Sequence, residues 1–180
     1  MKRQICRKMQ GSLMNYKQNL HVHSTYCDGK DTPEEMILTA IDKGFDSLGF
    51  SGHSWMFYSP GHSMSLEGTE EYKKEITALK PKYADRIKIF LGLEMDMYSE
   101  IDQTGYDYMI GSVHYLHIGD ETVGFDRSQE EVQRVINTYF GGNGMAYAKM
   151  YYETLALLPQ YGNYDIIGHF DLICKHSENI

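Results

Sequence analysis

The chain has little cysteine and no way to pair all of it. Its 180 residues hold three, Cys6, Cys27 and Cys174, odd in number and without C-x-x-C spacing. That argues against a disulfide framework and fits a reduced, cytoplasmic setting. Positive charge is scarce as well: 17 Lys and Arg stand against 25 Asp and Glu, a net charge of −8, with no basic cluster after the first eight residues. A nucleic-acid backbone calls for a cationic stripe, so nucleic acid is not expected as a partner, and any attraction for a phosphorylated substrate should come from bound cations. No apolar run reaches the length of a membrane span, and the basic stretch from Met1 to Lys8 lacks the apolar core of a signal peptide. Nucleophile elbows, P-loops and dinucleotide glycine motifs are missing. Gly141-Gly142-Asn143-Gly144 follows a helical pattern and breaks it. No internal repeat or low-complexity tract stands out.

What is present is a set of five short apolar stretches that each end in an acidic residue or a histidine. They are Asn19–His23, Leu48–His53, Ile89–Glu94, Met109–His114 and Ile166–His169. Between them lie helical patterns. Thr32, Pro33 and Glu35 form a capping box ahead of Met36, Ile37, Ala40 and Ile41, and Gly44 stops that helix. Residues 70–83 and 145–158 carry apolar residues at helical spacing, and Ser128-Gln129-Glu130-Glu131 predicts a second capping box before Val132, Val135, Ile136 and Tyr139. Strands are predicted at 47–51, 87–93, 106–113 and 165–170, and residues 54–68 as a long loop over a strand end. Strand and helix alternate, which predicts an α/β fold with about five parallel strands. The polar tail after Leu172 has no later strand to return to. Residues 1–16 are expected to be a disordered basic leader, and 17–180 one domain. The 15 tyrosines against 7 Phe and 1 Trp point to half-buried rings with wet hydroxyls.

Active sites of α/β barrels lie at the C-terminal ends of parallel strands, and imidazole and carboxylate are the ligands of Zn, Mn and Fe. His21 and His23 fall on one face of a strand because side chains repeat every two residues. Glu94, after an apolar strand, is a carboxylate that burial would penalise unless it meets cations; a carboxylate at the start of a helix is the alternative. Asp28 reads either as an oxygen ligand or as the turn former of Asp28-Gly29, and Cys27 as a ligand or a small buried filler. His53, His114 and His169 each close a strand; His53 is favoured as a ligand, while for His114 and His169 a hydrogen-bonded core histidine is the competing reading. His62 and His117 lie in loops and His176 in the tail. Asp171, two residues after His169, is expected behind an imidazole to orient it.

The pieces His21-x-His23-Ser24-Thr25-Tyr26-Cys27-Asp28-Gly29-Lys30, Ser51-Gly52-His53, Gly92-Leu93-Glu94, Gly111-Ser112-Val113-His114 and Ile167-Gly168-His169-Phe170-Asp171 resemble the PHP (polymerase and histidinol phosphatase) family, in its bacterial histidinol-phosphatase branch. The resemblance implies a distorted seven-stranded TIM-like β/α barrel with up to three divalent ions, Zn, Mn or Fe, at its rim. On these positions His21, His23 and Glu94 would hold one ion, Glu94, His114 and His169 a second with Glu94 bridging, and Asp28 and His53 would contribute to a third. The family's late Ser-Asp-x-His motif does not occur here, so the barrel is expected to be incomplete, with an open edge that favours self-association. The activity implied is metal-assisted hydrolysis of a small phosphate monoester, L-histidinol phosphate to L-histidinol and phosphate in histidine biosynthesis, with His21, His23, Glu94, His114 and His169 as the catalytic set. Arg127, Lys30, His62 and Tyr115 are candidates to touch the substrate. The alternatives are a truncated module that binds metal without turnover, and another phosphoesterase or nuclease of the family.

Overall fold

A computed structural model describes residues 16–59 and 61–176. The expected leader lies outside them except for Tyr16, as does Cys6. Five parallel strands, β1 (Gln18–Asn19), β2 (Ser47–Phe50), β3 (Lys88–Asp96), β4 (Tyr108–Ser112) and, after an intervening hairpin, β7 (Ile166–Ile167), pair in the order β1-β2-β3-β4-β7. They form a curled half-barrel. Helices α1 (Pro33–Asp42) and α2 (Leu66–Lys82) pack beside β2 and β3, and α3 (Gln129–Phe140) and α4 (Gly144–Leu157) pack against each other. Among the described residues no helix is long and apolar enough to cross a membrane.

The parallel strands enter the sheet by a shared local device. Asp46, Asp107 and Asp165 each stand one residue before or at the entry to β2, β4 and β7, and each carboxylate accepts a backbone N–H of the neighbouring strand segment, from Lys17 at 2.7 Å, Leu91 at 2.7 Å and Met109 at 2.9 Å. The sequence around them repeats: Phe45-Asp46, Tyr106-Asp107 and Tyr164-Asp165, each followed by two or three mostly apolar residues and then Gly49, Gly111 and Gly168. This short repeat escaped the sequence reading because its periods are irregular.

Along β3 the side chains alternate. Ile89, Leu91, Leu93 and Met95 join Ile37, Phe50, Tyr72 and Ile76 in one buried cluster against α1 and α2. Glycines on the other face make room for Tyr108. A Cβ on Gly92, its register partner, or on Gly49 in β2 would overlap the phenol. The ring therefore lies across β3 and β2, and its hydroxyl donates to Leu20 O at 2.5 Å and Phe50 O at 3.1 Å. A second cluster, with Met97, Val113, Leu116, Phe125, Val135, Ile136 and Tyr151, lies under α3 and α4.

Several boundaries differ from expectation. α2 begins at Leu66 because Ser65 caps it, its hydroxyl accepting the Gly68 N–H. β3 runs on to Asp96, whereas β7 is only Ile166–Ile167. At α1 the full capping box forms; at α3 the Ser128 hydroxyl accepts from the Glu131 N–H, without the reciprocal bond. An antiparallel hairpin, β5 (Tyr115–Ile118) and β6 (Glu121–Gly124), was not foreseen. Its signal is Gly119-Asp120, with Gly119 at φ 62° and no positive φ at Asp120, the pattern of a two-residue turn that starts on glycine. The polar tail also folds back: a 3-10 turn, Leu172–Cys174, leads to Lys175, which pairs with Asp126 at 3.7 Å.

Two substitutions test this inner layer. Gly92→Ala should destabilise by about 1–3 kcal/mol through overpacking against Tyr108. Tyr108→Phe should cost about 1–2 kcal/mol for the loss of the hydroxyl proton shared between the Leu20 and Phe50 carbonyls. Urea unfolding measures both; unchanged midpoints would mean that Tyr108 does not brace the sheet.

Candidate metal centre

Glu94 is the seventh residue of β3 and is 1% exposed. Around it the sequence places one histidine or pair after each of the other four parallel strands. The loop after β1 brings His21 Nε2 to 3.2 Å and His23 Nε2 to 3.3 Å from Glu94 Oε2. After β2, His53 forms an isolated bridge with Glu94 and sets its Nδ1 3.1 Å from the same oxygen. The other oxygen, Oε1, faces His169 Nε2 at 2.9 Å after β7 and His114 Nε2 at 3.5 Å after β4. Asp28 stands 3.4 Å from His23 Nδ1 and 3.6 Å from His53 Nε2. All seven residues nominated as ligands therefore converge. Three triads, His21–Glu94–His169, His23–His53–Glu94 and, with Cys27, His23–Cys27–Asp28, have ligand atoms within 4.8 Å of one another.

The charges of this cluster depend on one another. Burial works against charge on His53, yet contacts with Asp28 and Glu94 prevail and raise it to about 10. His23 is raised to about 9 in the same way, with burial opposed by Cys27 and Glu94. Burial pushes the Glu94 carboxyl up, but four imidazoles, His169 foremost, prevail and hold it well below the usual range. The His53 contact lowers Asp28, against burial. The rings thus offset the charge of the buried Glu94, a role that cations can take over.

One atom tests whether the site fits a metal. Glu94 Oε2 is buried and accepts no hydrogen bond, although three ring nitrogens lie 3.1–3.3 Å away. Lone pairs that converge without a donor aimed along them suit an ion better than a hydrogen-bond network, since a buried carboxylate oxygen with no partner is costly. Imidazole with carboxylate is also the donor set of Zn, Mn and Fe sites. The residues fit divalent cations.

A cleft of about 310 Å³ opens onto the cluster, with Asp28, His53 and His114 among its lining residues. Of the residues nominated for substrate, His62, Tyr115 and Arg127 line it, together with Met56 and Ser59 from the predicted loop. Lys30 is exposed and does not line it. Three charged cleft residues were missed: Asp96, Asp126, and Lys175 from the supposed tail. His176 is anchored too, its Nε2 2.9 Å from Asp126 O, while His117 stacks on Tyr98 with centroids 3.7 Å apart, outside the cluster. Asp171 does not orient His169. It caps the 3-10 turn, is exposed, and leaves His169 Nδ1 buried without a hydrogen bond. The strand ends too early for a two-residue repeat to carry Asp171 back to that face. Two unforeseen side chains do support the cluster. Ser112 donates to Glu94 Oε1 at 2.6 Å, and Asp96 meets His114. Both lie at strand positions facing the cluster, Asp96 two residues after Glu94 and Ser112 its register partner.

Glu94→Gln should abolish tight zinc binding measured by chelator competition, and with it the stabilisation of the folded chain, about 2.7 kcal/mol when zinc is 100 times its Kd. His117→Ala should leave both unchanged. Equal zinc affinity in wild type and Glu94→Gln would refute the site.

The PHP domain family model matches residues 19–179. The histidinol-phosphatase of Lactococcus lactis is 30% identical over 170 residues, covering 89% of this chain and 59% of that protein. The chain thus spans about 59% of the length of the curated relatives it matches first. Among solved structures, hisK of Listeria monocytogenes shares the fold at a TM-score of 0.75 and 22% identity, over 90% of this chain and 70% of that one. Histidinol phosphate phosphatase of Lactococcus lactis, solved with zinc, L-histidinol and phosphate, superposes at a TM-score of 0.59 and 28% identity, over 88% of this chain and 59% of that one. With the strand order, the strand-end histidines and a family match over nearly the whole chain, the protein belongs to the PHP domain family.

Proposed function

We propose that this chain carries the centre of a metal-dependent phosphatase, and that its substrate is L-histidinol phosphate, cleaved to L-histidinol and phosphate. The observation that carries the reading is the buried Glu94 carboxylate between two groups of imidazoles, with Oε2 lacking a hydrogen-bond donor. The names of its relatives supply the ester, and the Lactococcus lactis structure with zinc, L-histidinol and phosphate supports both metal and substrate.

His21, His23, His53, Asp28, Glu94, His114 and His169 would hold the ions. Bound divalent cations supply Lewis acidity toward phosphoryl oxygens and neutralise charge during transfer. The chain's own residues do the rest. Ser112 fixes one oxygen of Glu94. Arg127, Lys175 and His62 bring N–H donors to the cleft, where the charge of Arg127 and Lys175 favours an anionic ester against the net −8 of the chain. Tyr115 adds a hydroxyl, and Met56 gives an apolar wall that limits water.

The test is phosphate release from L-histidinol phosphate by the full chain with zinc or manganese. Activity that Glu94→Gln loses is expected, and Arg127→Ala should raise KM by about 10-fold, the worth of one charge-assisted hydrogen bond. Zinc bound at the centre with no turnover on this or other phosphate monoesters would overturn the phosphatase reading and favour a metal-binding module.

A further inference from the structure

Among the five clustered histidines, His114 is the one whose second ring nitrogen meets a buried carboxylate on the strand that carries Glu94. Asp96 Oδ2 accepts the backbone N–H of His114 at 3.0 Å and lies 3.2 Å from its Nδ1. Its other oxygen accepts the Tyr98 N–H at 3.0 Å, and its own N–H donates to Ser54 Oγ at 3.1 Å. Asp96 is 4% exposed and His114 8%. Three contacts therefore fix this carboxylate, and a fourth its backbone, before any ion is considered. An ionised carboxylate accepts and never donates. With an ion at the centre, the ring nitrogen 3.2 Å from it carries the proton, which leaves the ion the lone pair of Nε2, the atom that faces Glu94 Oε1 at 3.5 Å. His169, on the same oxygen, has no such support: its Nδ1 is buried and without a hydrogen bond.

We propose that Asp96 is a positioning residue that holds His114 in the Nδ1–H tautomer, and so sets the affinity of the ion on the Oε1 side of Glu94. This rests on the reading of the cluster as a metal centre. Carboxylates placed behind ligating imidazoles fix ring orientation and raise ligand basicity, and their loss costs about 10–100-fold in metal affinity.

The experiment has two arms. In the first, nitrogen–proton correlation NMR on the zinc-loaded wild-type chain reads the tautomer of His114, assigned with His114→Ala. A proton on Nδ1 is expected; a proton on Nε2 overturns the proposal without any variant. In the second, zinc affinity is measured by chelator competition for Asp96→Asn, which keeps shape but removes charge, and for Asp96→Ala, with far-UV circular dichroism of the metal-free proteins as the check on folding. One zinc should lose about 10–100-fold in affinity while the metal-free spectra match wild type. Unchanged affinity in two folded variants overturns the proposal. A wild-type chain that binds no zinc sinks the metal-centre reading itself, an outcome distinct from the failure of Asp96.

Discussion

Everything in this molecule turns on one buried carboxylate. Glu94 sits in the middle strand of a five-stranded sheet, almost without solvent, and its charge must be compensated from elsewhere. The compensation comes from every other strand of that sheet, each of which ends at a histidine aimed inward. His21 follows the strand at one edge and His169 the strand at the other, and their rings lie 5.4 Å apart although β1 and β7 share no backbone pairing. The half-barrel is thus closed at its rim by side chains around Glu94. Ions bound there would tie the two edges together, so metal binding and the stability of the curl are the same free energy seen from two sides.

The rest of the sheet is built to let this happen. Aspartates at the strand entries lock each parallel strand to its neighbour, and Tyr108 fills the curve over two glycines. Ser112 and Asp96 then hold Glu94 and His114 by bonds that need no ion. Rigid strands, short supporting bonds and a preset imidazole are how ligands are kept within the tolerance that a metal demands.

Much of the site was legible in the sequence because it obeys two simple rules: ligand-type residues at strand ends, and a two-residue repeat that puts His21 with His23. The supporting residues were hidden for physical reasons. Asp96 and Ser112 look like ordinary strand residues until strand register pairs them with each other, within reach of His114 and Glu94. The hairpin β5–β6 is short and followed a histidine already assigned to a strand end, so its Gly119-Asp120 turn was passed over. Lys175 and Asp126 are 49 residues apart in number and meet only because the chain after β7 turns back in a 3-10 turn. Asp171 failed for the opposite reason: a periodicity rule was extended past the point where the strand stops.

The central claim is that imidazole and carboxylate around Glu94 form a metal centre. Zinc K-edge X-ray absorption of the zinc-loaded chain tests it most directly. The account predicts a nitrogen and oxygen shell at about 2.0–2.2 Å with the outer-shell scattering of several imidazole rings, lost in Glu94→Gln. Zinc surrounded only by water oxygens, or a spectrum unchanged in the variant, would contradict it.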